Sequence, residues 1–476
     1  MLRAAEWLSQ AVKIPDDMGP VGGDDRWDVF GPFHDYLLPV TRLTHYPIVL
    51  RCHSNLELTT VNTRGIIFVW IGSDDTKKPL LLAGHRDVVP VDLATIEDWV
   101  YPSYSGYYDG QQIWGRGASD DKNGLISIPA SIETLLEASF EPTRTIVLAF
   151  GFDEESSGEE GARKLGVELE KRFGKGTFLM IIDEGDGSGE KFGTIFAIPA
   201  ISENGYLDVK IEVTTPRGHS SLPPEHTSIG ILAALLVELE NKPHPTRLCF
   251  AEHAGGLPAS LRDSIKRASH SKEALLDLER RLTVDKTLMI DGGIKANALP
   301  EQAWALINHH ISAESSVGET TAYDADILRP LAKAFNLTYA TFGVKMTERG
   351  TGLSGALTLS DAWGTALEPA LVTPIYRETS PYALLAGTIK ATYNLHRDLT
   401  GDNIVVSPGI LVGNTDTQSY WNLSEYMLRY NHQDSSNESD AVTELGCLAD
   451  ITVDGYMEMI QFFATLILNM DESTLP

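Results

Sequence analysis

Residues 79–91 read PLLLAGHRDVVPV, a short apolar run that ends in glycine and is followed at once by His85 and Asp87. Two further runs have the same form. TRTIVLAFGFDEESSG (143–158) ends in Asp153, Glu154 and Glu155, and FLMIIDEGDG (178–187) ends in Asp183 and Glu184. Continuous runs of Leu, Ile and Val of this length suit central strands of a mostly parallel sheet, buried on both faces. Between them, KNGLISIPASIETLLEAS and EEGARKLGVELEKRF read as crossover helices. An open α/β sheet gathers its functional groups beyond the carboxyl ends of its strands. The imidazole and the acids stand there.

The pattern changes at residue 206. YLDVKIEVTT alternates with period two, as an antiparallel strand with one wet face does. The loop PRGHSSLPPEHT follows, then a helix, SIGILAALLVELE, with Thr227 or Ser228 as N-cap. AWALINHHIS and NLTYATFGVKM read as further strands. The simplest organisation is a first domain over 1–205 and 373–476, interrupted by an inserted β/α domain over 206–372. YALLAGTIKATYN and VDGYMEMIQFFATLILNM are helices of the returning part and NIVVSPGILV is a strand. NHQDSSNESD (431–440) is the best candidate for a mobile loop.

The chain has 476 residues, 42% hydrophobic and 22% charged, an ordinary globular composition too long for one simple core. Its net charge of −28 repels phosphate backbones and anionic membranes, which argues against nucleic acid or a membrane as partner. Three cysteines (Cys52, Cys249, Cys447) with no CxxC exclude cysteine-ligated zinc and fit a reducing compartment. The N-terminal residues read as an amphipathic helix rather than a signal peptide, and no apolar run reaches membrane length, so the expected compartment is the cytoplasm.

One imidazole with spaced carboxylates is a ligand set for zinc, whose catalytic sites keep one position open for water. His85 is the natural first ligand. Asp87, two residues on, can accept a hydrogen bond from the second ring nitrogen and fix the tautomer. In IWGRGASDDK (113–122), Asp120 follows a glycine-rich turn and is the expected bridge between two metals. The turn does not fit GxGxxG, so a dinucleotide site is discounted. Of the adjacent glutamates, Glu155 can bind metal while Glu154 holds and deprotonates the water. Asp183 completes the first site, with its neighbour Glu184 as the alternative.

With these motifs in place, the chain resembles the di-zinc family of aminoacylase, acetylornithine deacetylase, succinyl-diaminopimelate desuccinylase and carboxypeptidase S. Within it, the nearest branch looks like carboxypeptidase S and the N-fatty-acyl amino acid hydrolases. The resemblance runs from about residue 5 to 470. It is carried by GHRDVVPV, DWVYPSYSGYYDG, IWGRGASDDKNG, FGFDEESSGEEGA, IIDEG, TPRGHSSLPPEHTSIG, GGIKANALPEQAWALIN and GNTDTQSYW. It implies a phosphorylase/hydrolase-like catalytic domain with an inserted α+β lid that often dimerises, hence a possible homodimer. It implies His85, Asp120, Glu155 and Asp183 as ligands, Glu154 as general base and Asp87 as the orienter of the histidine. It also implies His219 as a group that stabilises the oxyanion and Asn297 as a substrate contact.

Three positions depart from the family's pattern. Leu445 stands where a C-terminal metal-binding histidine is usual, and His432 is the nearest histidine. Gln418 and His310 stand where two arginines usually clasp a carboxylate, which alters the substrate-binding set. By ligand count one zinc is firmly held and the second is weak or absent. The expected activity is hydrolysis of a peptide or amide bond in a small N-acyl amino acid or dipeptide-like substrate. The alternatives are a biosynthetic enzyme that forms or rearranges an amide on the same zinc, and an inactive homologue.

Overall fold

The structure is a computed structural model that describes residues 2–17, 28–37, 56–191, 193–219, 221–222, 224–244, 285–293, 298–346, 354–375, 379–434 and 450–476, with backbone alone at 2, 191 and 285–288. These residues divide into two compact units. One runs to Ile201 and resumes at Val372; the other lies between Ser202 and Leu371. The division falls four residues before the change of pattern at 206. Its chain ends are paired locally: Ser202 Oγ donates to the Ala370 carbonyl at 2.7 Å, and Ala370 N donates to the Glu203 carbonyl at 3.1 Å.

The first unit is built on an eight-stranded sheet. At its centre Leu80–His85 pairs in parallel with Ile146–Gly151 on one side and Met180–Asp183 on the other. Met427–Arg429 continues the parallel set beyond Met180–Asp183. Gly65–Trp70 and Leu56–Val61 flank it as antiparallel strands. All six residues of Gly65–Trp70, Leu80–His85 and Ile146–Gly151 are buried, as strands covered on both faces require. Period-two geometry sends alternate side chains to opposite layers. Phe68, Leu82, Leu148 and Ile182 enter one core with helices Leu2–Val12, Lys122–Glu137, Pro381–His396 and Val453–Glu472. Val69, Leu81, Val147 and Ile181 enter the other, beneath Leu165 and Leu169 of Ala162–Phe173.

The second unit has a six-stranded sheet whose middle strand, Gly205–Thr214, buries every second residue. Leu207, Val209, Ile211 and Val213 pack against Ile231, Leu232 and Leu235 of Ser228–Asn241 and Leu328 of Val317–Ala334. Thr227 caps the first of these helices by accepting from Gly230 N. No helix among the described residues is long and apolar enough to cross a membrane.

The segment beginning at 431 differs from the expected mobile loop. Asn431, His432 and Gln433 are buried. His432 stacks on Phe462 with ring centroids 4.8 Å apart, and its Nε2 lies 3.1 Å from Glu458 Oε1, which also accepts from Arg397 at 2.6 Å. Residues 435–440 lie outside the described residues. Polar composition alone suggested a loop; buried partners across the sequence hold its first part.

Burial favours a neutral Glu458, but the His432 and Arg397 contacts keep its carboxyl below the ordinary 4.5. The stability it contributes is therefore present above pH 4.5 and fades as pH falls through the lowered value. Glu458→Gln should destabilise the chain by about 1.5–3 kcal/mol at pH 7, the worth of a hydrogen bond to a charged group. Denaturant titrations at pH 7 and near pH 3.5 should show the penalty shrinking in acid.

Candidate metal centre

His85 ends its strand, and its ring is surrounded by acids from four separate segments. Its Nδ1 lies 3.0 Å from the Asp87 carbonyl and 3.3 Å from Asp87 Oδ1. Its Nε2 lies 3.1 Å from Glu184 Oε2, 3.3 Å from Asp120 Oδ1 and 4.0 Å from Glu154 Oε2. A hydrogen on Nδ1 facing Asp87 leaves Nε2 as the nitrogen that can bind a cation.

Asp87 also fixes the glutamates. Its Oδ1 accepts from Glu154 N at 3.1 Å and its Oδ2 from Glu155 N at 3.0 Å. One carboxylate thus ties the loop after Ile146–Gly151 to the loop after Leu80–His85. Asp153 braces the other side of that turn by accepting from Glu160 N and Gly161 N, each at 2.8 Å.

Asp120 and Asp121 are joined by a cis peptide bond at the start of Lys122–Glu137. Asp120 faces His85, whereas Asp121 turns beneath it. Asp121 Oδ2 accepts from His85 N at 3.3 Å and Oδ1 accepts from Asn431 Nδ2 at 2.9 Å. Gly84 makes this approach possible: a Cβ there would sit 2.8 Å from Asp121 Oδ2. In the preceding turn Gly117 has φ of +85°, and a Cβ would stand 2.8 Å from a Val88 methyl. That glycine lets the turn pack against Val88.

The structure distinguishes Asp183 from Glu184. Asp183 is buried at the end of Met180–Asp183, and its Oδ1 accepts from Glu184 N at 3.0 Å. Glu184 sends its carboxylate to His85. Two ligand groups result, each with donor atoms within 4.8 Å of one another: His85, Asp120 and Glu184, and His85, Glu154 and Glu155.

So many acids in one buried place shift each other. Burial works against a charged His85, yet the Glu184, Asp120 and Asp87 carboxylates hold it well above 6.5. Burial, then the charge of Glu184, holds Glu154 well above 4.5. Burial likewise holds Glu184 well above 4.5 against the pull of His85. Burial and the nearby Asp120 push Glu155 up to about 8. Burial pushes Asp121 up to about 7. Burial would raise Asp120 as well, but its His85 contact keeps it below 3.8. A divalent cation relieves this repulsion directly, and imidazole nitrogen with carboxylate oxygen is a donor set zinc accepts. The residues fit the ion.

The other expected residues are distributed as follows. Gln418 is half-buried in the turn Asp416–Tyr420 of the first unit. His219 belongs to the second unit, is exposed, and has Nδ1 2.9 Å from Ser221 Oγ. His310 is half-buried on Gln302–Ile311, opposite Tyr206. Asn297 and Leu445 lie outside the described residues. His432 does not join the acids around His85; its Nδ1 faces the Tyr430 hydroxyl at 2.9 Å and its Nε2 faces Glu458. Two supports went unread in the sequence. Asn431 holds Asp121 from the far end of the chain, and buried Asp416 is raised well above 3.8 by burial and then by the charge of Asp183. The doubled aspartate at 120–121 was the available signal for the first.

Comparison with known proteins agrees with this architecture. The description "Peptidase family M20/M25/M40" matches residues 81–441. Carboxypeptidase S of Saccharomyces cerevisiae is 35% identical over 98% of this chain and 84% of its own length. The N-fatty-acyl-amino acid synthase/hydrolase of Mus musculus is 30% identical over 85% of this chain and 76% of its own. Among solved structures, an M20 family metallo-carboxypeptidase from Sulfolobus solfataricus superposes with a TM-score of 0.66 at 15% identity, covering 98% of this chain and 99% of that one. The chain belongs to peptidase family M20/M25/M40 and is a metal-dependent peptidase or amidohydrolase.

Proposed function

We propose that the chain hydrolyses the amide bond of a small N-acyl amino acid or dipeptide-like substrate at a zinc centre. The observation that carries this reading is the convergence of Glu184, Asp120 and Glu154 on His85 Nε2 at 3.1, 3.3 and 4.0 Å. His85, Asp120 and Glu184 would hold the first ion, and Glu155 belongs to the group that would hold a second. When bound, zinc supplies Lewis acidity and lowers the pKa of water. Among the described residues His85 is the one imidazole in either ligand group, which supports a second site weaker than the first.

The chain's own residues divide the remaining work. Asp87 sets the His85 tautomer and fixes the backbone at Glu154 and Glu155. Glu154 accepts the proton of the attacking water and returns it to the leaving nitrogen. Burial and the charge of Glu184 raise its carboxyl above the ordinary 4.5, the direction that favours acceptance of a proton. His219 is retained as the group that stabilises the oxyanion, with Asn297 as a substrate contact. A homodimer through the inserted unit belongs to the same reading.

Gln418 and His310 lack the guanidinium fork that would grip a free carboxylate. The substrate class is therefore extended to amides whose carboxylate is masked. The two relatives' names support this range, one a carboxypeptidase and the other both synthase and hydrolase of N-fatty-acyl amino acids. The second name also favours testing amide formation, since one site lowers the barrier in both directions.

Four outcomes are expected with zinc-loaded protein and a panel of N-acyl amino acids and dipeptides. Glu154→Gln should lower kcat about 10²–10⁴-fold, the usual contribution of a positioned acid–base group, with zinc content unchanged. Unchanged turnover in that variant would sink the proposed base. Glu184→Gln should lose bound zinc on gel filtration. Asp183→Asn should retain it with affinity reduced about 10–100-fold, as for a group that supports a ligand. Gln418→Arg should improve kcat/KM for free-carboxylate substrates over their methyl esters by about tenfold or more, matching a hydrogen bond to a charged group. An unaltered acid-to-ester ratio would remove Gln418 from the substrate grip.

A further inference from the structure

The second unit holds another group of metal-ligating side chains. His244 lies just beyond helix Ser228–Asn241, His309 on strand Gln302–Ile311, and Asp324 in helix Val317–Ala334. A turn, a strand and a helix thus bring two imidazoles to one carboxylate. His244 Nε2 lies 3.0 Å from Asp324 Oδ1, and His309 Nε2 lies 3.1 Å from Asp324 Oδ2. The three donor atoms all fall within 4.8 Å of one another.

We propose that His244, Asp324 and His309 form a second, separate metal site, selective for zinc-like divalent ions, that clamps the inserted unit. The donor set is two imidazole nitrogens and one carboxylate oxygen, which suits zinc over magnesium or calcium. In a tetrahedral zinc site, ligand atoms about 2.0–2.2 Å from the metal stand roughly 3.3 Å apart; the two imidazole–carboxylate spacings here, each to its own oxygen of Asp324, are close to that. A small closing of side chains would bring all three into range, and water would take the fourth position.

The surroundings preorganise the group. His309 and Asp324 are buried, while the His244 side chain is 19% exposed and leaves an entry path. The two rings meet edge to face, with centroids 5.0 Å apart and planes at 75°. Tyr323 lies against His244 at 4.3 Å, and its hydroxyl donates to the Pro243 carbonyl at 3.1 Å. That contact anchors the turn that presents His244. Two neutral imidazoles and one carboxylate leave a bound zinc with one net positive charge.

The site does not depend on the chemistry at His85, and the experiment separates the two. Full-length His85→Ala protein, stripped with chelator and then given zinc, is passed through gel filtration and its metal is counted. One zinc per chain is expected, and none in the His85→Ala/His244→Ala double variant. The melting temperature of the His85→Ala protein should rise with zinc but not with magnesium, and the rise should vanish on adding His244→Ala, whose circular dichroism should be unchanged. As a check free of the His85 change, cobalt-loaded unmodified chain minus cobalt-loaded His244→Ala should give the visible spectrum of one tetrahedral ion. Absence of zinc from the His85→Ala protein, its persistence in the double variant, or an equal rise with magnesium would each overturn the site.

Discussion

Like charges packed around a single buried imidazole are the constraint on which the rest of this structure turns. Asp87, Asp120, Glu154 and Glu184 all approach the His85 ring, and Glu155, Asp121 and Asp183 stand just behind. Isolated buried carboxylates are costly, and here burial raises several of them far above their ordinary range. Folding such a cluster makes physical sense when a divalent ion shares it. The same crowding that disfavours the bare site gives it affinity for metal.

The sheet supplies the rigidity to hold that cluster. Three parallel strands run the same way, with His85 level with Gly151 and Ile182 level with Leu82, so their carboxyl ends lie at one side of the sheet. Burial on both faces leaves these strands little freedom to shift. Asp87 then joins two of the loops through backbone hydrogens, and Asn431 steadies Asp121 from a remote part of the chain. Ligand directions are thereby set by backbone contacts and packed strands rather than by flexible side chains alone, which is what positioned acid–base chemistry requires.

The inserted unit follows different rules. Its strands have one dry and one wet face, and period-two alternation sends His309 inward and leaves His310 half-exposed. Two adjacent histidines therefore have different fates. One sits among helix residues with Asp324 and His244; the other keeps access to solvent.

Much of the first unit was legible in the chain. Continuous apolar runs ending in His85, Glu154 and Asp183 specified buried strands and placed polar residues at their carboxyl ends, because only a sheet covered on both faces tolerates such runs. The choice between Asp183 and Glu184 was not legible. Adjacent residues at a strand end point in different directions, and backbone geometry decides which one reaches the ring. The role of His432 was hidden for the same reason: its partners, Glu458 and Phe462, become neighbours only when the last helix packs. The His244, His309 and Asp324 group had no local signature, since its members come from a turn, a strand and a helix. Sequence by itself determined the periodicities, the strand-end chemistry and the kind of ligand available. Tertiary structure alone decided which donors meet, because distances between side chains far apart along the chain exist only after the sheets and helices have packed.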